Sequence, residues 1–362
     1  MSTLDLDDDV VALTGALVDI PSQSHQERQI ADLVEQALGA LPGLRTHRVG
    51  NVVIAATDLG HTERVLLAGH LDTVPPAGNL PHRVADGWMW GLGSVDMKSG
   101  VAVVLRMALL ASQTPHALHR DLSCVLYDCE EVAAEFNGLE RLVHSHPELV
   151  ACDAAILLEP TDGLVEAGCQ GTLRAVVEVT GVRAHSARSW LGVNAIHATS
   201  DVLSRMTSYQ PRQPVVDGLQ YREGLSAVGI SGGVAGNVIP DSCAVTVNYR
   251  FAPDRSPQQA VDHVCEVFAD YAVRIEDVAP GARPGADQPL VQEFIQASGH
   301  PARAKLGWTD VARFAALGIP ALNFGPGNPG LAHAVDERVE VEQIRRCEAV
   351  MRQWLTSPTT QR

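Results

Sequence analysis

His70 and Asp72 stand side by side just after a short apolar run, Val65 to Ala68. A His at the carboxyl end of a core strand, with a carboxylate two residues on, commonly pairs a metal ligand with its orienting partner. Other carboxylates follow two further apolar runs. Glu130-Glu131 comes after Leu122 to Tyr127, and Glu159 ends the run Ala154 to Leu158. Asp96 falls at an expected helix start, where the positive end of the dipole stabilises a negative charge. His333 follows the run Pro320 to Phe324 through a loop of Gly and Pro. Open α/β sheets gather ligand sites at such strand ends.

The charges of this set balance. Two divalent cations bring four positive charges. Asp96, Glu131 and Glu159 bring three negative ones, and a shared hydroxide brings the fourth. With one neutral imidazole per cation, the centre is near neutral and tolerates burial. Two zinc ions about 3.5–4 Å apart would polarise a carbonyl and lower the pKa of the water they share. Glu130 stands beside a ligand but is not needed as one. That leaves it as general base and later as proton donor to a leaving amine. Asp72 would hold His70 in the ligating tautomer. Singly, each residue has an ordinary explanation: a solvated helix start for Glu130-Glu131, an N-cap for Asp96. Five of them at strand ends and helix starts are hard to assemble by accident.

The positioning elements follow from periodicity. Helical spacing runs from Asp9 to Ile20 and from Glu27 to Leu38, and strands are expected at Val49 to Ala56 and Arg64 to Ala68. A helix is expected from Ser94 to Ser112 and another from Glu135 to His144. Strands alternating with helices indicate a sheet with helices packed on it. The pattern changes near Leu173. Strand, helix, two strands, helix and strand then follow, the order of a split βαβ module. Ser256-Pro257 opens its second helix with an N-cap and a first-turn Pro. The chain therefore reads as an α/β protein. A discontinuous catalytic domain with a mixed sheet flanked by helices, residues 1–173 and 290–362, carries an inserted ferredoxin-like β-α-β-β-α-β domain, residues 174–289.

With 362 residues, the chain can bury a large core. Its formal net charge of -16 argues against nucleic acid or an anionic membrane as partner. Lys98 and Lys305 are the only lysines. Seven dispersed cysteines without CxxC spacing suggest reduced thiols and a cytoplasmic location. The acidic N-terminus lacks the basic start of a signal peptide, and no apolar run approaches the roughly 20 residues of a membrane span.

Six stretches resemble the dinuclear-zinc amidohydrolases and aminopeptidases that include aminoacylase and glutamate carboxypeptidase. They are Gly69 to Pro75, Gly91 to Lys98, Glu130-Glu131, Leu158 to Pro160, Arg183 to Ala187 and Leu331 to His333, in the family's order along nearly the whole chain. The resemblance implies two zinc ions, with cobalt able to substitute. It implies that His70, Asp96 and Glu159 hold one, that Asp96 bridges, and that Glu131 and His333 hold the other. It makes Glu130 the base and Asp72 the support of His70. It further implies a homodimer formed through the inserted domain, which would also act as a lid. His185 would then reach the partner's site and hydrogen-bond the tetrahedral oxyanion.

Within the family, Glu166 to Thr172, His185 to Gly192, Gly232 to Pro240 and Gly307 to Asp310 resemble members that remove a succinyl group from an acylated diamino acid. Such a small carboxylated amide wants Arg forks and amide donors. Arg250 and Asn237 match substrate-contacting positions, and Thr309 lies in the last of these stretches. Arg183 and Arg188 flank His185 and are weaker candidates. Gly325 would admit substrate close to the backbone, or simply serve a tight turn. Leu92, Cys129 and Trp308 depart from the commonest pattern, but none is an expected ligand. Other amidases of the family, such as acetylornithine deacetylase or a dipeptidase, would use the same metals with a different pocket. A non-catalytic protein keeping the metals for structure is the reading from another class, and the intact Glu130 speaks against it.

Overall fold

The computed structural model describes residues 3–358. Two compact units divide the chain. The first comprises residues 3–167, 285–303 and 313–358, and the second residues 168–284 with 304–312.

The first unit is built on an eight-stranded mixed sheet. Its strands are β1 (Arg45–Val49), β2 (Val52–Ala56), β3 (Arg64–His70), β6 (Asp121–Tyr127), β7 (Ala154–Leu157), β8 (Glu166–Ala167), β17 (Arg303–Ala304) and β18 (Ala321–Asn323). They lie in the order β1-β2-β6-β3-β7-β18-β8-β17. β3 runs parallel to both β6 and β7, and β18 parallel to β7. These central strands are almost wholly buried, as continuous apolar runs require when both faces are covered. The helices α1 (Val10–Val18), α3 (Lys98–Gln113) and α9 (Val341–Thr356) pack together, with α3 against β3 and β6. The helices α2 (Arg28–Gly39) and α4 (Gly138–Ser145) contact β2, and α7 (Pro289–Ser298) packs on α9. A small antiparallel sheet, β4 (Arg83–Ala85), β5 (Trp88–Trp90) and β19 (Arg338–Glu340), has no strong sequence signal.

Two expectations need correction here. The strand read over Val49 to Ala56 is the hairpin β1–β2, turning at Gly50, whose φ is 63°. The helix expected from Ser94 starts only at Lys98, because Met97 stands at φ -133° and ψ 40°, outside the helical region.

α3 comes unusually close to the end of β7. A Cβ on Gly100 would lie 2.2 Å from the Leu158 carbonyl oxygen, and one on Gly325 2.3 Å from the same atom. Two glycines thus grip the residue before Glu159. Gly100→Ala and Gly325→Ala are each expected to destabilise the protein by about 1–3 kcal/mol through overpacking. Urea titration checks this, and an unchanged midpoint in both variants would contradict the close approach.

The second unit holds a four-stranded antiparallel sheet flanked by α5 (Ala195–Thr207) and α6 (Pro257–Val267). Its strands β9 (Gly171–Thr180), β13 (Gly224–Gly232), β15 (Ser242–Phe251) and β16 (Ala272–Ala279) lie in the order β13-β15-β9-β16. That is the ferredoxin-like arrangement expected from the element order. Alternate β15 residues are buried, so one face packs on the helices. Ser256 caps α6 in a full capping box with Gln259. Short pairs complete the unit: β10 (Ala184–His185) with β14 (Val238–Ile239), and β11 (Val215–Val216) with β12 (Leu219–Gln220).

This unit begins at Gly168, earlier than the expected 174, and ends at Pro284. Cys169 and Ala282 exchange both main-chain hydrogen bonds at 3.0 Å, which ties the entering and leaving chains together. The segment 304–312 joins it because Trp308 Nε1 donates to the Pro280 carbonyl at 3.1 Å.

Candidate metal centre

His70 ends β3 and is buried. Its Nε2 lies 3.1 Å from Asp96 Oδ1. The other oxygen of Asp96, Oδ2, lies 3.5 Å from His333 Nε2. One carboxylate therefore turns its two oxygens toward two imidazoles. His333 Nε2 also lies 2.8 Å from Glu131 Oε1. Glu159, just past β7, brings a ligand atom within 4.8 Å of those of His70 and Asp96. The five expected ligands thus form two overlapping triads, His70-Asp96-Glu159 and Asp96-Glu131-His333, sharing Asp96. Oxygen and imidazole donors in this number suit a pair of divalent cations such as zinc.

Asp72 does more than the sequence suggested. His70 Nδ1 donates chiefly to the Asp72 main-chain oxygen, at 3.0 Å, with the Asp72 carboxylate at 3.4 Å. That carboxylate instead accepts from the N–H groups of Glu130 at 3.0 Å and Glu131 at 3.1 Å, and from Ser24 Oγ at 2.7 Å. The main chain of Asp72 thus orients the His70 ring, and its carboxylate holds the backbone of both glutamates. Glu130 offers a carboxylate oxygen within 4.8 Å of the His70 and Glu131 ligand atoms. His333 and Cys129 both have left-handed backbones, φ 62° and 57°, an uncommon conformation for residues other than Gly.

Electrostatics draw positive charge to the site. Burial alone would lower the His70 imidazole, but hydrogen bonds to Asp72 and Asp96 reverse this and hold it well above its usual pKa. Asp96 and Glu131 raise His333 to about 10. Burial would raise the Asp96 carboxyl, yet its contacts with His333 and His70 outweigh this and hold it well below the usual carboxylate range. The raised imidazoles and the lowered carboxyl share one cause, the contacts between the two histidines and the negative charge gathered between them.

Two supporting residues went unforeseen. Glu337 is buried and accepts from Val95 N–H at 2.8 Å and Asp96 N–H at 3.2 Å, which holds the Asp96 loop. Burial pushes its carboxyl up to about 7 against those donors. Its place four residues after His333 was the only available hint. Ser24 anchors Asp72 from a loop that showed no signal. Lys98, also buried, donates to the Ile20 carbonyl at 2.7 Å, and burial pulls its ammonium down to about 7.

The remaining candidates are divided between the units. Gly325 lies in the first unit, where its place against Leu158 and Glu159 accounts for the glycine. His185, Arg183, Arg188, Asn237, Arg250 and Thr309 lie in the second. His185 is exposed on β10, and its Nδ1 accepts from Ala187 N–H at 3.0 Å, which leaves the proton on Nε2. The Asn237 carbonyl accepts from Ser186 N–H at 2.9 Å, so its loop lies next to His185. Arg183 forms a two-pronged pair with Asp241 at 3.0 and 2.9 Å. Arg188 is exposed in the 3₁₀ segment Ser186–Leu191. Arg250 is half-buried, with Nε donating to Asn248 Oδ1 at 3.2 Å. Thr309 is buried.

A mixed α/β sheet with a shared carboxylate between two histidines defines a hydrolase scaffold built for paired metals. The chain belongs to peptidase family M20/M25/M40, whose model matches residues 66–357. A DapE protein of Mycobacterium tuberculosis is 55% identical over 355 residues, covering 97% of this chain and 99% of the relative. A Corynebacterium glutamicum protein named succinyl-diaminopimelate desuccinylase is 51% identical over 364 residues, covering 98% of each. Among solved structures, a tripeptidase from Staphylococcus aureus superposes with a TM-score of 0.78 at 21% identity, covering 98% of this chain and 99% of that one. No helix among the described residues is long and apolar enough to cross a membrane.

Proposed function

We propose that this chain hydrolyses N-succinyl-LL-2,6-diaminopimelate to succinate and LL-2,6-diaminopimelate, a precursor of lysine and peptidoglycan, with two zinc ions. The observation that carries the chemistry is Asp96, whose two oxygens face His70 and His333. The substrate rests on the 51% identity to the Corynebacterium desuccinylase across nearly the whole chain. Seven free cysteines support a cytoplasmic location.

Bound at this site, the cations supply Lewis acidity, polarising the amide carbonyl and acidifying water. His70, Asp96 and Glu159 would hold one, and Asp96, Glu131 and His333 the other. Asp72 keeps His70 in its ligating tautomer and pins the Glu130 backbone. Glu130 takes a proton from the attacking water and returns it to the amine nitrogen as the C–N bond breaks. His185 donates from Nε2 to the oxyanion, which suits the tautomer that Ala187 imposes. Asn237 and Arg250 bind the substrate carboxylates, with Thr309 and Arg188 as further contacts. Arg183 is already committed to Asp241.

We assign His185 to the site of a second subunit in a homodimer. The second unit exposes an unusual set of large apolar side chains: Trp190, Leu191, Val193, Val228, Ile230 and Val234. Trp190 is 76% exposed, and β13 is an edge strand. Exposed apolar side chains in this number, beside an open edge strand, support a protein interface on this unit. Mixed dimers of His185→Ala and Glu130→Gln subunits are expected to regain activity that neither homodimer shows. Isolated heterodimers without recovery would refute the crossing.

The second reading, an acetylornithine deacetylase, has the support of a Myxococcus xanthus relative of that name, 32% identical over 305 residues. Its lower identity and coverage place it behind. Assay of the zinc-loaded protein with both substrates decides, and faster turnover of acetylornithine would overturn the assignment.

A further inference from the structure

The ligands of the paired centre are not all held in the same way. His70 ends β3 and Glu159 just follows β7, and these neighbouring strands are in register through Ala68 and Leu157. The sheet therefore fixes both. Asp96 and His333 lie on separate loops, one before α3 and one before β19. Neither is on a strand, yet Asp96 Oδ2 and His333 Nε2 stand 3.5 Å apart. Something else must set that distance.

Glu337 spans the gap. Its Oε1 accepts from Val95 N–H at 2.8 Å and from Asp96 N–H at 3.2 Å, and its main-chain carbonyl accepts from Gly91 N–H at 3.1 Å. Both ends of the loop 91–96 are thus fastened to one buried residue. Bonds from N–H groups to a carboxylate are about twice as strong as neutral ones. The same residue is one turn past His333. Its N–H donates to the Ala334 carbonyl at 3.1 Å, and Arg338 then pairs with Trp90 across β19 and β5. On the other side of His333, a Cβ on Gly327 would come within 2.8 Å of Val95 Cγ1. The loop of Asp96 and the loop of His333 are zipped together, with Glu337 as the polar link.

Building on the paired-metal reading, we propose that Glu337 is a positioning residue for one cation of the pair. It sets the shared Asp96 against His333, and so governs the triad Asp96-Glu131-His333 more than the triad His70-Asp96-Glu159. The first of these takes two ligands from the loops that Glu337 ties. The other keeps two ligands on the ends of β3 and β7. Glu131 has its own anchor, because its N–H donates to Asp72 at 3.1 Å. Glu337 acts through the main chain of Asp96 and leaves both ligating oxygens free. Loss of its grip therefore weakens one ion selectively, by the roughly 10–100-fold that such outer partners contribute to metal affinity.

Two substitutions separate the grip from other roles. Glu337→Asp draws the carboxylate back by one carbon–carbon bond, about 1.5 Å, out of hydrogen-bond reach. Glu337→Gln keeps an acceptor oxygen at full length. Each zinc-loaded protein is dialysed against chelator buffers of graded free zinc, and the zinc retained per chain is counted. Glu337→Asp is expected to lose one ion at a free-zinc level about 10–100-fold higher than the wild type does, and the other at the wild-type level. Glu337→Gln is expected to retain both as the wild type does. The proposal is overturned by an Asp variant that holds both ions like the wild type, or by one that weakens both alike, as general loosening would. A Gln variant that fails as the Asp variant does also overturns it, since charge rather than the grip would then matter. A wild-type chain holding fewer than two ions defeats the paired-metal reading itself, and this assignment with it.

Discussion

Glu130→Gln is expected to keep its full metal content and lower kcat by about 10²–10⁴-fold, the usual worth of a positioned general base. The amide keeps the shape of the side chain and removes the basic oxygen. The main-chain N–H to Asp72 at 3.0 Å is untouched, so the backbone of Glu131 stays where it is. Metal analysis beside steady-state kinetics checks both halves. Wild-type turnover would remove Glu130 from the role of base. Loss of metal would instead make it a ligand, a reading that its nearness to His70 and Glu131 keeps physically distinct and measurable.

The second large effect belongs to Asp96. Asp96→Asn leaves one good oxygen donor where two are needed and removes the negative charge between the imidazoles. Residues that merely support ligands typically cost 10–100-fold in metal affinity. Loss of a shared ligand is expected to cost more than about 100-fold for at least one ion, and activity falls with it. Calorimetric metal titration gives the number. Two ions binding with wild-type affinity would show that Asp96 does not bridge. The thermal midpoint of the metal-free protein is the control, because Glu337 holds this loop by main-chain N–H groups that the substitution leaves in place.

Three of the candidate ligand positions were legible in the sequence because they stand at or just past an apolar run that reads as a buried strand. β3, β6 and β7 are such runs, and His70, Glu130-Glu131 and Glu159 follow them directly. The ferredoxin-like order of the second unit was legible for the same reason, aided by the Ser256 cap. What was not legible acts through the main chain. Glu337 and Ser24 work by gripping N–H groups or another carboxylate, and no spacing rule announces partners 242 and 48 residues away. The start of α3 was misplaced because Met97 keeps a non-helical backbone, which no residue pattern before it announces. Gly325 carried two readings in the sequence, and only the carbonyl of Leu158 decides why it is a glycine.

The pairing of β7 with β18 bears on how the chain is made. Ribosomes add about 5–20 residues each second, so the stretch between these strands takes roughly 10–30 s to synthesise. Throughout that interval the nascent protein carries a bare, wholly apolar edge along Ala154–Leu157, a ready template for mispairing. Yield in a producing cell is then expected to rise with chaperone supply during translation, at unchanged stability of the finished chain.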